Sequence, residues 1–318
     1  MSILGITGGA GYVGNLLARI ALEGGWSVRC VDNLSGPISL RPSGVPFLRE
    51  DFYSEAGLSF LADADVIVHL GAVSGVVACA RAPEETQRTN VLGTSRLVAA
   101  CEQRRAPLAF ASSLAAVGAP DRMPITEATS AAPTHEYARQ KAEGERLVDH
   151  LSSAGVRAAV VRMSNVYGTY TTEGRTVAKG NVVNEFVRQA VGGVLRVNAP
   201  GTQRRDFIHI DDIVRAWLAL AEQLARGPAT MSHFLFARGR SYSVSEIAEL
   251  ALHAWAAANP GRGALRAEIV ENPRGAIELL DERFEVDPSR TWASLGRSPA
   301  HRLETDLADL FASPPPGT

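Results

Sequence analysis

The sequence predicts an α/β fold: a doubly wound parallel sheet with a smaller, mixed α/β subdomain at the C-terminal end. Three observations predict it. Short apolar runs alternate with helical patterns through the first half of the chain. The first of those runs ends in a glycine turn that opens directly into an amphipathic stretch, Leu16 to Leu22. After about Tyr167 the rhythm changes and a Thr/Gly-rich stretch begins. Alternation of the first kind reads as a parallel sheet covered by helices on both faces.

Taken in order, strands are expected at 2–6, 27–31, 65–69, 107–111 and 157–162, and helices at 12–23, 84–103 and 136–153. Val66, Ile67 and Val68 lie in the fully apolar run of a buried strand. Residues Gly168 to Gly180 lack periodicity and read as a long loop, of the kind that is usually functional. Beyond it come helices at 182–191 and around 209–225, a strand around 232–237 and a helix at 243–258. Residues 259–300 are rich in Gly, Pro and Arg, with strand-like pieces such as Ala267-Glu268-Ile269-Val270. The tail from Ser313 to Thr318 is expected to be mobile. This divides the chain into a Rossmann-type domain, 1–166 plus about 207–238, and a substrate-binding subdomain, about 167–206 plus 239–318.

The chain has 318 residues, enough for a full core. It has 46% hydrophobic and 21% charged residues and a net charge of −2, which gives no basic surface for nucleic acid or membrane. No apolar run is long enough to span a bilayer, and the sequence opens in its first strand, so the expected location is the cytoplasm. Cys30, Cys79 and Cys101 match no zinc or redox spacing, and the seven histidines show no HExxH, so no metal is expected.

The glycine turn Thr7-Gly8-Gly9-Ala10-Gly11-Tyr12-Val13-Gly14 sits between a strand and a helix. Such a turn lets the backbone approach a pyrophosphate, which the helix N-terminus then binds through its free N–H groups. Asp32 ends the next apolar run, where a carboxylate can accept from both ribose hydroxyls and would repel a 2′-phosphate. The pair predicts NAD rather than NADP; the alternative is an ordinary glycine turn of α/β packing.

Tyr137 and Lys141, at i and i+4, share one helix face. A phenol titrates near pH ~10, and a nearby ammonium favours the phenolate. The pair alone could equally be a packed aromatic and a solvated lysine. Ser112-Ser113 at the end of the run Leu108-Ala109-Phe110-Ala111 favours chemistry, because ligands bind at the carboxyl ends of parallel strands. A serine there can hydrogen-bond both a substrate hydroxyl and the tyrosine oxygen.

With these residues in place, the chain resembles the extended short-chain dehydrogenase/reductase family, and within it the sugar-nucleotide epimerases and dehydratases. The likeness runs over nearly the whole chain. Residues 7–14 resemble the family's TGxxGxxG, Asp32-Asn33-Leu34-Ser35-Gly36 its acidic ribose loop, His69-Leu70-Gly71-Ala72 its HxAA strand and Asn90-Val91-Leu92-Gly93-Thr94 its NVxGT segment. The resemblance implies a triad of Ser113, Tyr137 and Lys141. It implies cofactor contacts at Gly8, Gly11, Tyr12, Val13, Gly14, Asp32, Asn33, Ser35, Asp51, Phe52, Leu70, Gly71, Ala72, Ser74, Asn90 and Ser112, besides Tyr137 and Lys141. Arg162 to Gly168 resembles the strand and loop that reach the substrate diphosphate, and Gly201 to Asp212 the GxGxQxRDFIHVDD segment. Substrate contacts are thereby implied at Ser113, Asn165, Asn181, Val182, Arg205 and Arg274, where a guanidinium fork suits phosphate oxygens. Arg205 read without the family is a surface arginine beside Asp206 or Asp211, and Pro273-Arg274-Gly275-Ala276 departs from the family's Arg-x-Gly-Asp.

The resemblance implies transient oxidation of a nucleotide-diphosphate sugar at C4, with a UDP-sugar favoured. Family 4,6-dehydratases carry an acid after the serine; here Leu114-Ala115 stands instead. Loss of a general acid costs ~10²–10⁴-fold in typical cases, so 4-epimerisation is expected. The alternatives are elimination with a non-standard acid, for which Cys79 and Glu173 are the candidates, or net oxidation or reduction. Val117 and Ser74 also depart from the family, which has Tyr at the first and, in some epimerases, Lys at the second. The helices at 84–103 and 136–153 resemble the pair that forms a four-helix bundle in family homodimers.

Overall fold

The computed structural model describes residues 2–272 and 283–312; Arg274 and the tail 313–318 lie outside the described residues. The chain opens with strand β1 (Ile3–Thr7), helix α1 (Tyr12–Glu23), β2 (Ser27–Val31), β3 (Phe47–Leu48), α2 (Glu55–Phe60) and β4 (Val66–His69). Helices α3 (Val76–Arg81) and α4 (Pro83–Gln87) follow, then a widened turn, Arg88–Gly93, that runs into α5 (Thr94–Arg104). Strand β5 (Leu108–Ser113), helix α6 (Glu136–Ser153) and β6 (Ala158–Met163) complete the first half.

The second half begins with β7 (Asn165–Tyr167) and the hairpin β8 (Thr169–Thr172) and β9 (Arg175–Ala178). It continues through α7 (Val182–Ala190), β10 (Val194–Asn198), β11 (Arg204–His209), α8 (Ile210–Arg226), β12 (His233–Phe236) and β13 (Ser241–Ser243). The described part ends with α9 (Val244–Ala258), β14 (Arg266–Val270), α10 (Ser289–Leu295) and α11 (Leu303–Ala312).

The large sheet has seven strands in the order β12-β6-β5-β4-β1-β2-β3, all parallel. The order reverses between β1 and β4, which is where ligands bind in doubly wound sheets. Alternation along each strand divides the core. Leu4, Ile6, Val66, Val68, Ala109 and Ala111 pack with Leu16 and Leu17 of α1 and Ile213 and Trp217 of α8. Ile67, Leu108, Phe110 and Val160 face the other way, onto Leu97, Val98 and Cys101 of α5 and Val148 and Leu151 of α6. A separate cluster holds the second lobe: Phe186, Val187, Leu195, Phe207, Tyr242, Ile247, Trp255, Leu307 and Phe311.

The structure differs from the sequence reading at three places. The stretch read as a long loop is largely the β8–β9 hairpin, paired Tyr170 to Val177 and Thr172 to Arg175. Glu173 (φ 48°) and Gly174 (φ 71°) form its two-residue left-handed turn, a geometry that matches strand twist. Buried Tyr170 and Val177 face inward, and the Tyr170 hydroxyl donates to the Tyr12 carbonyl at 2.9 Å, which docks the hairpin on the start of α1. The helix expected at 84–103 is interrupted by the Arg88–Gly93 turn, which carries Asn90; such widened turns gather at functional sites. The Gly/Pro/Arg-rich region ends in α10, whose Trp292 and Leu295 pack in the core of the large sheet.

Candidate active site

At the end of β1 the chain turns on Gly8, whose φ of 71° suits glycine. A Cβ on Gly8 would lie 2.8 Å from the Gly71 nitrogen, and one on Gly14 would lie 2.1 Å from the Gly8 carbonyl oxygen. Gly8 therefore lets the loops after β1 and β4 touch, and Gly14 lets α1 start directly against the β1 turn. Gly11 caps α1 with no side-chain hydrogen bond, so the N–H groups of the first turn stay open to an anion. Asp32 is fixed by two backbone donors: Ala10 N–H to Oδ2 at 3.0 Å and Leu34 N–H to Oδ1 at 2.8 Å. Asn33 Nδ2 donates to Asp51 Oδ1 at 2.7 Å, and the Ser35 hydroxyl donates to Asn33 Oδ1 at 2.7 Å. The acidic loop after β2 and the segment before α2 thus form one polar edge, with Phe52 buried against the His69 ring.

A buried relay ties these loops to the helix layer. Thr94 donates to the Asn90 carbonyl at 2.7 Å, so it accepts from His69 Nε2 at 3.0 Å. His69 Nδ1 then accepts from the Thr7 hydroxyl at 2.6 Å, and the same Thr7 oxygen accepts from Gly71 N–H at 3.0 Å. Burial pulls His69 down to about 3, which keeps the ring neutral, and the bond to Thr94 sets its single proton on Nε2. Leu70, Gly71 and Ala72 follow β4 at the cleft, half-buried, and Ser74 is exposed beside them.

Tyr137 stands in the first turn of α6 and its hydroxyl lies beside Ser113 at the end of β5. Lys141 lies one turn on, only 6% exposed, with Nζ donating to the Ala111 carbonyl at 2.7 Å. The structure therefore brings Ser113, Tyr137 and Lys141 together. The electrostatics differ from the sequence expectation. Burial pushes Tyr137 up to about 12, against the Ser113 hydrogen bond that pulls it down. Burial draws Lys141 down to about 8, partly countered by Cys79, with the ammonium of Lys179 adding to the fall. Desolvation, rather than the neighbouring ammonium, dominates the phenol.

Ser112 faces away from Ser113, as neighbours on a strand must. Its hydroxyl donates to Glu145 Oε1 at 2.5 Å, and Glu145 pairs with Arg162 through both oxygens at 2.9 and 2.8 Å. Its side chain is therefore engaged beneath the cleft. Asn90 also works below the surface. Its Oδ1 accepts from Val73 N–H at 2.8 Å, and its Nδ2 donates to the Val73 carbonyl at 2.9 Å and to Gln140 Oε1 at 2.7 Å.

Neither acid considered for an elimination hydrogen-bonds a triad hydroxyl among the described residues, although Cys79 is near enough to raise both the Tyr137 phenol and the Lys141 ammonium. Cys79 is buried behind α6, with Sγ 3.6 Å from Gln140 Oε1 and 3.7 Å from the Val73 carbonyl, and burial raises its thiol. Glu173 sits exposed at the hairpin tip, where it accepts from the Ser43 hydroxyl.

Parallel pairing of β7 with β11 sets Asn165 beside Phe207, two residues from Arg205. Asn165 is exposed and its Nδ2 donates to the Asp206 carbonyl at 3.2 Å. Asn181 caps α7 ahead of Val182, taking Asn184 N–H at 3.0 Å while donating to the Val166 carbonyl at 2.8 Å. The Arg205 guanidinium lies 5.7 Å over the Phe284 ring and donates to the Arg204 carbonyl at 2.5 Å. The carboxylate of buried Asp206 accepts three backbone N–H groups, from Arg238, Gly239 and Arg240. Asn165, Asn181 and Arg205 thus share one wall. His135, Gln140 and Lys179 escaped the sequence reading; only His135 left a signal there, as a capping residue just ahead of the Tyr137 helix.

Among the described residues, His209, His301 and Asp306 bring three ligating atoms near one another. The two rings are stacked 3.8 Å apart within 16°, so their in-plane lone pairs run side by side rather than converging on an ion. No helix among the described residues is long and apolar enough to cross a membrane.

A doubly wound parallel sheet, a glycine cradle at its switch point and a Ser-Tyr-Lys group at the adjacent strand end define a dinucleotide-dependent enzyme of the short-chain dehydrogenase/reductase type. The sequence profile of the NAD-dependent epimerase/dehydratase family matches residues 4–234, and the chain belongs to that family. It is 29% identical to the UDP-glucose 4-epimerase of Corynebacterium glutamicum over 264 residues, 77% of this chain and 78% of that one. It is 30% identical to the dTDP-glucose 4,6-dehydratase of Streptomyces griseus over 322 residues, 97% of this chain and 91% of that one. Among solved structures it is similar to TunA, an NAD-dependent NDP-hexosamine 5,6-dehydratase of tunicamycin biosynthesis, with a TM-score of 0.81 and 27% identity, covering 96% of this chain and 95% of TunA. The cofactor is NAD, and the open α1 N-terminus, the glycine cradle and Asp32 fit it.

Proposed function

We propose that this enzyme inverts C4 of a nucleotide-diphosphate sugar, UDP-linked, through transient oxidation at that carbon. The observation that carries the reading is the surroundings of Tyr137. Its hydroxyl lies beside Ser113, the next residues are Leu114 and Ala115, Glu173 is exposed at the hairpin tip, and the Cys79 thiol is turned to Gln140 and Val73 with burial raising it. A site with a base and no second acid favours moving one proton and one hydride over expelling water.

In this reading Gly8, Gly11, Tyr12, Val13 and Gly14 hold the pyrophosphate of NAD, Asp32, Asn33, Ser35, Asp51 and Phe52 the adenosine side, and Leu70 to Ala72 and Ser74 line the rest of its path. Bound NAD supplies the hydride acceptor and, on return, the hydride donor. Tyr137 takes the proton from the C4 hydroxyl. Ser113 holds that hydroxyl and the phenol in line. Lys141 keeps a positive charge beneath the phenolate. Asn165, the α7 N-terminus at Asn181 and Val182, and Arg205 hold the diphosphate, which leaves the sugar free to turn over after oxidation. Once the turned sugar presents the other face of its C4 carbonyl to the returning hydride, Tyr137 gives the proton back to the C4 oxygen. The lobes divide as 1–166 plus about 207–238, with α10 packed on the same sheet, for NAD and the remainder for substrate. The assembly is a cytoplasmic homodimer joined through the α4–α5 and α6 faces, in line with exposed Leu92 on the turn between α4 and α5.

A dehydratase is the second reading, favoured by the likeness to the Streptomyces griseus enzyme over 97% of the chain and to TunA. Incubation with UDP-, dTDP- and GDP-sugars, followed by mass spectrometry and NMR, tests both. Unchanged mass with inverted C4 means epimerase, loss of water means dehydratase, and sustained NADH accumulation overturns both.

A further inference from the structure

His135, two residues ahead of Tyr137, has no part in the chemistry so far. It is the N-cap of α6, with extended backbone, and its Nδ1 accepts from Ala138 N–H at 3.2 Å. An acceptor nitrogen carries no proton, so the neutral ring holds its proton on Nε2. Burial draws the ring below the usual histidine range, and the charges of Arg139 and Arg205 act in the same direction, so it is neutral at pH 7. The His135 and Tyr137 rings are parallel within 5°, with centroids 6.3 Å apart. The imidazole is half-buried, and its Nε2–H has no acceptor among the described residues.

We propose that His135 binds substrate, its Nε2–H donating to an oxygen of the sugar between the carbon whose hydroxyl Tyr137 deprotonates and the diphosphate. The inference rests on the nucleotide-sugar reading above. Two ends of the ligand are assigned there, Tyr137 with Ser113 at the reacting carbon and Arg205 at the diphosphate. His135 packs beside the first and feels the charge of the second. A neutral donor beside the phenol suits a hydroxyl, carbonyl or ring oxygen of the sugar.

The test uses His135→Asn, which keeps an N-cap acceptor but is too short to place a donor where Nε2 lies. Calorimetry on the NAD-loaded protein compares UDP-glucose, UDP-glucuronic acid, dTDP-glucose and plain UDP. The expected result is about 3- to 10-fold weaker binding of the preferred sugar nucleotide, unchanged UDP binding and an unchanged melting temperature. If the variant melts lower, His135→Ser, also a good cap, takes its place. Equal sugar-nucleotide affinity in wild type and variant overturns the role of His135 alone. An equal loss for UDP also overturns it, because the donor would then read phosphate. A wild type that binds none of the four overturns the nucleotide-sugar reading and this inference with it.

Discussion

Asn90 Nδ2 donates to Gln140 Oε1 at 2.7 Å, and this buried bond joins the loop after β4 to the helix that carries Tyr137 and Lys141. Gln140 Nε2 in turn donates to Thr86 Oγ1 and Glu136 Oε1, both at 3.0 Å. The cleft-side residues therefore rest on a polar layer that has no exposed member at its centre.

Gln140→Leu removes the acceptor that Asn90 uses and the donor that Thr86 receives. Leaving buried groups unsatisfied costs about 1–3 kcal/mol each. Urea denaturation of the NAD-free protein should show a loss in that range, with a lower kcat. Full stability in the variant would mean that the layer carries no such load.

Asp32 presents its carboxylate at the end of β2, tied by Ala10 and Leu34. Wild-type protein should bind NAD in clear preference to NADP, because the carboxylate repels a 2′-phosphate. Asp32→Ser should weaken NAD and narrow the preference. Calorimetry giving equal or tighter NADP binding to the wild type would contradict the assignment.

The depressed Lys141 predicts a pH signature. Its folded-state value, about 8, lies below the ordinary 10.5, so between those values the unfolded chain binds more protons. Stability then rises with pH across that window, and the cost of burying the charge is fully present below about 8. Against Lys141→Met, the wild type should gain melting temperature from pH 8 to pH 10.5. NAD affinity should fall as the ammonium is lost above about 8, and should stay flat in the variant. Parallel pH curves for the two proteins would refute the shift.

Tyr137→Phe keeps the aromatic packing against His135 and removes the phenol beside Ser113. Turnover should fall by about 10²–10⁴-fold, the usual range for a lost acid–base group, with NAD binding retained. Near-normal turnover would remove Tyr137 from the mechanism.

Much of this site is legible in the sequence because it is local. The β1 run, glycine turn and α1 follow one another within a few residues, and Asp32, Ser113 and Tyr137 each lie at or beside the end of a strand or helix. The β8–β9 hairpin was hidden because Glu173-Gly174 is a weak hairpin signal and its inward residues, Tyr170 and Val177, are separated by polar threonines. Partners distant in sequence were hidden too. Nothing near Gln140 announces Asn90, fifty positions away, and nothing near Ser112 announces Glu145. The phenol's pKa is illegible for a related reason: periodicity shows that Lys141 shares a face with Tyr137, but not that burial of both dominates.

The central claim is a hydride that leaves C4 and returns to it without meeting solvent. NMR of the product formed by NAD-loaded enzyme in deuterated water tests this directly. The account predicts a sugar nucleotide of unchanged mass, inverted at C4 and free of deuterium on carbon. A product that has lost water, or that carries solvent deuterium at a ring carbon, would contradict it.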